Sequence, residues 1–104
     1  MRRVVDVATR DGVPITVPAA VLAEWWREPS DFRWLIRRMV RVEPLDEALA
    51  ANAGEAMAAV RGATVVDALV VASAARRGDL VYTSDYDDLI DLTRHFRGVR
   101  ILGV

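Results

Sequence analysis

Four short runs rich in β-branched or apolar residues punctuate the chain: VPITV at 13–17, VRVEP at 40–44, LVYT at 80–83 and VRILGV at 99–104. Helical segments separate each run from the next. Parallel strands need a crossover of about a dozen or more residues, normally filled by a helix, so this alternation predicts a parallel α/β sheet. The 104 residues are enough for one domain with one core, and 53% hydrophobic with 28% charged residues is a globular composition. We read residues 1–104 as a single domain without repeat, linker or low-complexity segment.

The helix boundaries carry their own signals. Residues 2–10 read as a short amphipathic helix stopped at Gly12. Pro18 starts a helix through Arg27, because the missing N–H of proline costs nothing in a first turn. Ser30 is placed to cap a helix with Phe32, Leu35, Ile36 and Met39 on one face. Asp46 caps an Ala-rich helix to about Val60, ended by Gly62. Thr64 caps an apolar helix through Arg77, which stops at Gly78, and a last helix is expected over 87–96.

Composition excludes several chemistries. There is no Cys, so there is no disulfide framework, thiolate nucleophile or Cys-based zinc site, and the single His95 rules out a multi-His site. The net charge of −1 does not favour strong non-specific nucleic-acid binding, so contact with a polyanion falls to local clusters among the 14 basic residues, all of them Arg. No apolar stretch reaches the ~20 residues of a membrane span, and nothing resembles a signal peptide, which places the chain in the cytoplasm.

The acidic residues are more informative. Glu24 sits in the apolar window VPAAVLAEWW, where a carboxylate needs a partner, a metal ion or a solvent-facing position beside Arg27. Asp67 lies three residues after Thr64, which is both a capping-box-like arrangement and an acid at the mouth of an apolar helix aimed at the strand ends. Asp85, Asp87 and Asp88 follow the LVYT run, with Asp91 one turn on. Three carboxylates in four positions repel one another, and a cation relieves that repulsion. The spacing points Asp85 and Asp88 to a site and Asp87 to solvent. Oxygen-only ligands favour Mg²⁺ or Mn²⁺ over zinc.

With Glu24 in VPAAVLAE, Asp67 in VVDA and the stretch TSDYDDL, the chain resembles the PIN-domain ribonucleases, including VapC-type toxins of bacterial toxin–antitoxin pairs. The resemblance covers nearly the whole chain from about residue 2. It implies a Rossmann-like three-layer fold and an endoribonuclease using Mg²⁺ or Mn²⁺ held by Glu24, Asp67, Asp85 and Asp88. Thr83 would be the hydroxyl residue at the strand end, and Arg27, Arg10 or Arg37 would meet phosphate. Partners implied are single-stranded RNA, an antitoxin protein and a second copy in a homodimer.

The family pattern opens with a strand ending in Asp, and relative to it this chain is expected to be N-terminally truncated. Asp6 is no substitute: it lies 18 residues before Glu24, too few for a crossover and the strand that follows it. The alternative reading is a catalytically incomplete remnant or split half that acts by binding protein. Trp25, Trp26, Phe32 and Trp34 would then be an interface, or else ordinary core aromatics. A phospho-acceptor domain is excluded, because its pattern needs a Lys and this chain has none.

Overall fold

The computed structural model describes residues 6, 9–12, 14–27, 29 and 31–104, apart from the side chain of Phe32. Asp6, Thr9 and Arg10 are helical, and Gly12 follows at φ 70° with its N–H bonded to the Thr9 carbonyl at 3.1 Å. This agrees with a helix stopped by glycine; the rest of that helix, the strand residue Val13 and the cap Ser30 lie outside the described residues.

The chain then runs β1 (Ile15–Pro18), α1 (Ala19–Trp26), α2 (Asp31–Met39), β2 (Val40–Glu43), α3 (Glu47–Ala59), α4 (Val65–Arg77), β3 (Leu80–Thr83), α5 (Tyr86–Ile90), a 3₁₀ turn (Asp91–Arg94) and β4 (Arg100–Gly103). The fold is α/β with parallel strands, as the alternation predicts. None of its described helices is long and apolar enough to cross a membrane.

The strands pair differently from a single continuous sheet. β1 pairs with β2 from Ile15↔Val40 to Pro18↔Glu43, and β3 with β4 from Leu80↔Arg100 to Thr83↔Gly103, both parallel. Among the described residues these remain two separate two-stranded sheets. The helices take up the remaining apolar surface. Leu49, Ala53 and Ala56 recur every three to four residues along α3 and meet Ala68, Leu69, Val71 and Ala72 of α4. The alanines let the two helices approach closely, and Val81, Leu89, Leu92, Val99 and Ile101 complete this main core. A smaller cluster of Val17, Ile36 and Val40 holds the first sheet to α2.

Two expectations need correction. The α2 face was expected to bury Leu35 and Met39 with Ile36, but only Ile36 is buried, while Leu35 and Met39 are exposed. The helix over 87–96 is instead α5 followed by the 3₁₀ turn. The Thr93 hydroxyl donates to the Ile90 carbonyl at 2.6 Å, and side-chain competition for that acceptor breaks the α-helical ladder.

Candidate active site

A cleft of about 870 Å³ lies between the two sheets. All of β1 and all of β3 line it, β2 contributes only Arg41, and β4 contributes nothing. The unpaired edges of both sheets therefore face the cleft. One side is a stripe of α4, with Val66, Asp67, Val70, Ser73, Ala74 and Arg77 at helical spacing. Although α4 is an apolar helix, it is not buried all round: Val66 and Val70 are half-buried, and Val65 is exposed.

Three of the four sequence-predicted acids share this cleft: Glu24 from α1, Asp67 from the first turn of α4 and Asp85 from the end of β3. Thr83 and Arg27 line it too, whereas Asp88 does not. Asp88 is nevertheless close enough to act on Asp67 through its charge. Glu24 is exposed and forms no ion pair with Arg27, so neither a buried partner nor surface pairing accounts for it among the described residues.

Local structure fixes these side chains. The Asp67 N–H donates to Thr64 Oγ1 at 3.1 Å, closing the cap that starts α4. Buried Thr83 accepts the Asp85 N–H on its Oγ1 at 2.9 Å, while its carbonyl takes the Val104 N–H at 2.8 Å. That pair of bonds sets where the chain leaves β3 and so where Asp85 begins α5. The Asp85 carbonyl then accepts the Asp88 N–H at 3.1 Å.

The electrostatics single out Asp67. Partial burial raises its carboxyl above the usual range, and the charges of Asp88, Asp85 and Glu24 push it the same way, against the lowering effect of Thr64. A cleft that penalises its own carboxylate charge is one that a cation stabilises. Among the described residues no group of three Asp, Glu or His is close enough to enclose a metal ion. Mg²⁺ does not require such a cage, since it keeps several waters and uses one or two carboxylates with substrate phosphates. The oxygen-only donors facing this cleft fit that mode. His95 is elsewhere, beside a separate cavity with Asp91 and Arg94.

A family model described as the PIN domain matches residues 5–94. The chain belongs to the PIN-domain family. No curated protein matches it. Membership points to nuclease chemistry, with a divalent ion and RNA as the general expectation for a PIN domain.

Ion pairs at the end of α4, where Ser73, Arg77 and Asp79 line the PIN cleft, were not foreseen from the sequence. Arg77 pairs with Glu43 and with Asp79 at 2.6 Å, and its Nη1 donates to buried Ser73 at 3.1 Å. Arg76 forks onto both Asp46 oxygens at 2.8 Å. Two arginines ahead of a helix-ending glycine were a visible signal, because cations are favoured at a helix C-terminus. Asp79 is two residues from Arg77, but Asp46 and Glu43 are 30 and 34 residues from their arginines and carried no such signal.

Proposed function

We propose that this PIN domain is a Mg²⁺- or Mn²⁺-dependent endoribonuclease and the toxin of a toxin–antitoxin pair. One observation carries the reading: Glu24, Asp67 and Asp85 line one cleft, where partial burial, reinforced by neighbouring negative charge, makes the ionised form of Asp67 unfavourable.

Asp67, with Asp85 or Glu24, would hold the ion, and Asp88 would add negative charge from outside the cleft. A divalent ion bound there supplies charge neutralisation and a water of lowered pKa. The chain's own residues do the rest. A carboxylate of the cleft accepts the proton of the attacking water as its oxygen bonds to phosphorus. The phosphorus–oxygen bond to the leaving nucleotide breaks, and that oxygen takes a proton from solvent water. Arg27, at the edge of the same cleft, is placed to meet a flanking phosphate. Thr83 keeps Asp85 at the strand end.

The test is calorimetric titration of Mn²⁺ into the protein and into Asp67→Asn, beside single-stranded RNA cleavage by both. Binding and cleavage lost together in the variant uphold the reading. Cleavage by Asp67→Asn at the parent rate overturns it. A second reading, a non-catalytic domain that binds an antitoxin or a second copy, is favoured by exposed Leu35 and Met39 on adjoining turns of α2. Metal binding in neither protein, with a solution mass above the monomer, would select it.

A further inference from the structure

Charge is unevenly distributed along this chain. Residues 27–41 hold five Arg against Glu28 and Asp31, although the whole chain carries −1. Arg27, Arg37, Arg38 and Arg41 are exposed, and none forms an ion pair among the described residues. Arg76 and Arg77, by contrast, are both paired. A run of arginines alone is an ordinary solvated face, so the second observation matters more.

That observation is aromatic. Trp34 leaves 58% of its surface in water, which no core role explains. Its ring stands edge-on to Trp26 at 4.7 Å, and Trp26 stands edge-on to Trp25 at 6.5 Å. Arg33 fixes the cluster: its guanidinium lies 4.9 Å over Trp26 and donates to the Trp26 carbonyl at 2.9 Å. The exposed indole is thus held in place before any ligand arrives, which lowers the ordering cost of stacking. Arg37 and Arg38 follow Trp34 by three and four positions and share its side of α2. At the other end, Trp25 and Arg27 line the cleft beside Glu24.

We propose that Trp34, Arg37 and Arg38, continued through Trp26, Trp25 and Arg27, form a track that binds single-stranded RNA and leads it to the acidic cleft. The direction of travel rests on the nuclease reading; the binding does not. Unstacked bases present faces that an exposed indole stacks on, and a duplex hides them. The arginines neutralise phosphates that the cleft's own carboxylates repel. Unpaired positive charge is what separates this face from the neighbouring apolar pair Leu35 and Met39, which suits a protein.

The chain has three Trp, all on this track, so intrinsic fluorescence reads the surface directly. The experiment titrates a single-stranded oligouridylate of about twelve nucleotides, and a duplex RNA of equal length, into full-length Asp67→Asn protein in EDTA. Quenching by the single strand and not by the duplex is expected. Anisotropy of the labelled strand should show affinity about tenfold lower for Trp34→Ala, largely restored in Trp34→Phe. The Arg37→Gln/Arg38→Gln pair should reduce the slope of log K against log salt by about 1.4, at about 0.7 per phosphate contact on a single strand. Should Trp34→Ala fail to fold by circular dichroism, Trp34→Phe and the arginine pair decide alone.

Absence of quenching at low salt, equal binding of the duplex, or variants that bind like the parent would overturn the track. So would Trp34→Ala dissolving a dimer while leaving RNA affinity intact, which assigns the face to a protein contact. Cleavage is measured separately with Mn²⁺ in protein retaining Asp67. Strand binding without cleavage defeats the nuclease reading alone, and cleavage indifferent to the track variants defeats this inference alone.

Discussion

Asp67 uses its two polar ends for different purposes. Its N–H completes the Thr64 cap, and its carboxylate sits on the cleft wall among other acids. The capping and site readings of this residue are therefore compatible, because the cap needs only its backbone. The same division yields a prediction. The folded protein raises the Asp67 carboxyl pKa, so ionisation there opposes folding when no cation is present. Asp67→Asn should keep the cap and raise the unfolding free energy in EDTA. Thermal unfolding with and without Mn²⁺ checks it, and Mn²⁺ should stabilise the parent more than the variant. A variant less stable than the parent in EDTA would count against an electrostatically strained cleft. Glu24, Asp67 and Asp85 were legible in the sequence because each follows a strand or opens an apolar helix. Asp88 was only half legible: whether it enters the cleft depends on the turn angle at Asp85, set by the Thr83 bond, which no spacing rule supplies.

The α3–α4 hairpin shows what local signals capture. Asp46 accepts the Leu49 N–H at 2.8 Å as a cap, and Gly78 ends α4 at φ 71° with its N–H on the carbonyls of Ala74 and Ala75. Nothing lies within 4 Å of a Cβ built on Gly78, so Gly78→Ala should cost only the conformational term of a left-handed residue, about 1 kcal/mol. Urea denaturation with an unchanged m-value measures that. The partner of Asp46 in the ion pair was not legible, since Arg76 joins it from 30 residues away. Arg76, then the Leu49 N–H, hold the Asp46 carboxyl at about 2, below its usual 3.8. A depressed acid pKa contributes stability that is complete above the unfolded value and is lost as pH falls through the folded one. That window runs from about pH 4 down to about pH 2. Asp46→Asn should keep the cap, lose the ion pair's contribution at neutral pH and flatten this part of the pH profile of Tm, whereas Asp46→Ala should lower Tm at pH 7 further by losing the cap as well. Equal Tm values for the two variants at pH 7 would mean the cap contributes nothing.

At the scale of the whole molecule, alternation of strand and helix specified parallel pairing but not how many strands join. A strand's run of residues shows which face is apolar; which edge finds a partner is a non-local property of the assembled fold. Here the pairs stay apart across the cleft, and the buried side chains divide with them. Among the described residues, Val17, Ile36 and Val40 make one cluster, and thirteen buried residues from α3 to β4 make the other. At about 1.5–3 kcal/mol for each large side chain fully buried, the described residues of the second unit hold far more of the apolar stabilisation than those of the first. Ala20 of α1 packs on the main core and β1 also meets α4, while the ion pairs from Arg76 and Arg77 to Glu43 add little because both arginines are substantially in water. Native-state hydrogen exchange should accordingly resolve two levels. Amides of β1, α1, α2 and β2 should exchange through an opening at least about 2 kcal/mol less costly than that of the α4 and β3 amides. Glu43→Gln should widen the gap by loosening the first unit while leaving α4 protection unchanged. The first unit carries Glu24 and the Trp34 track, so a separately opening unit would let the cleft change width without disturbing the core that fixes Asp67 and Asp85. One uniform exchange level across both units would refute this and make the two half-sheets a single cooperative body.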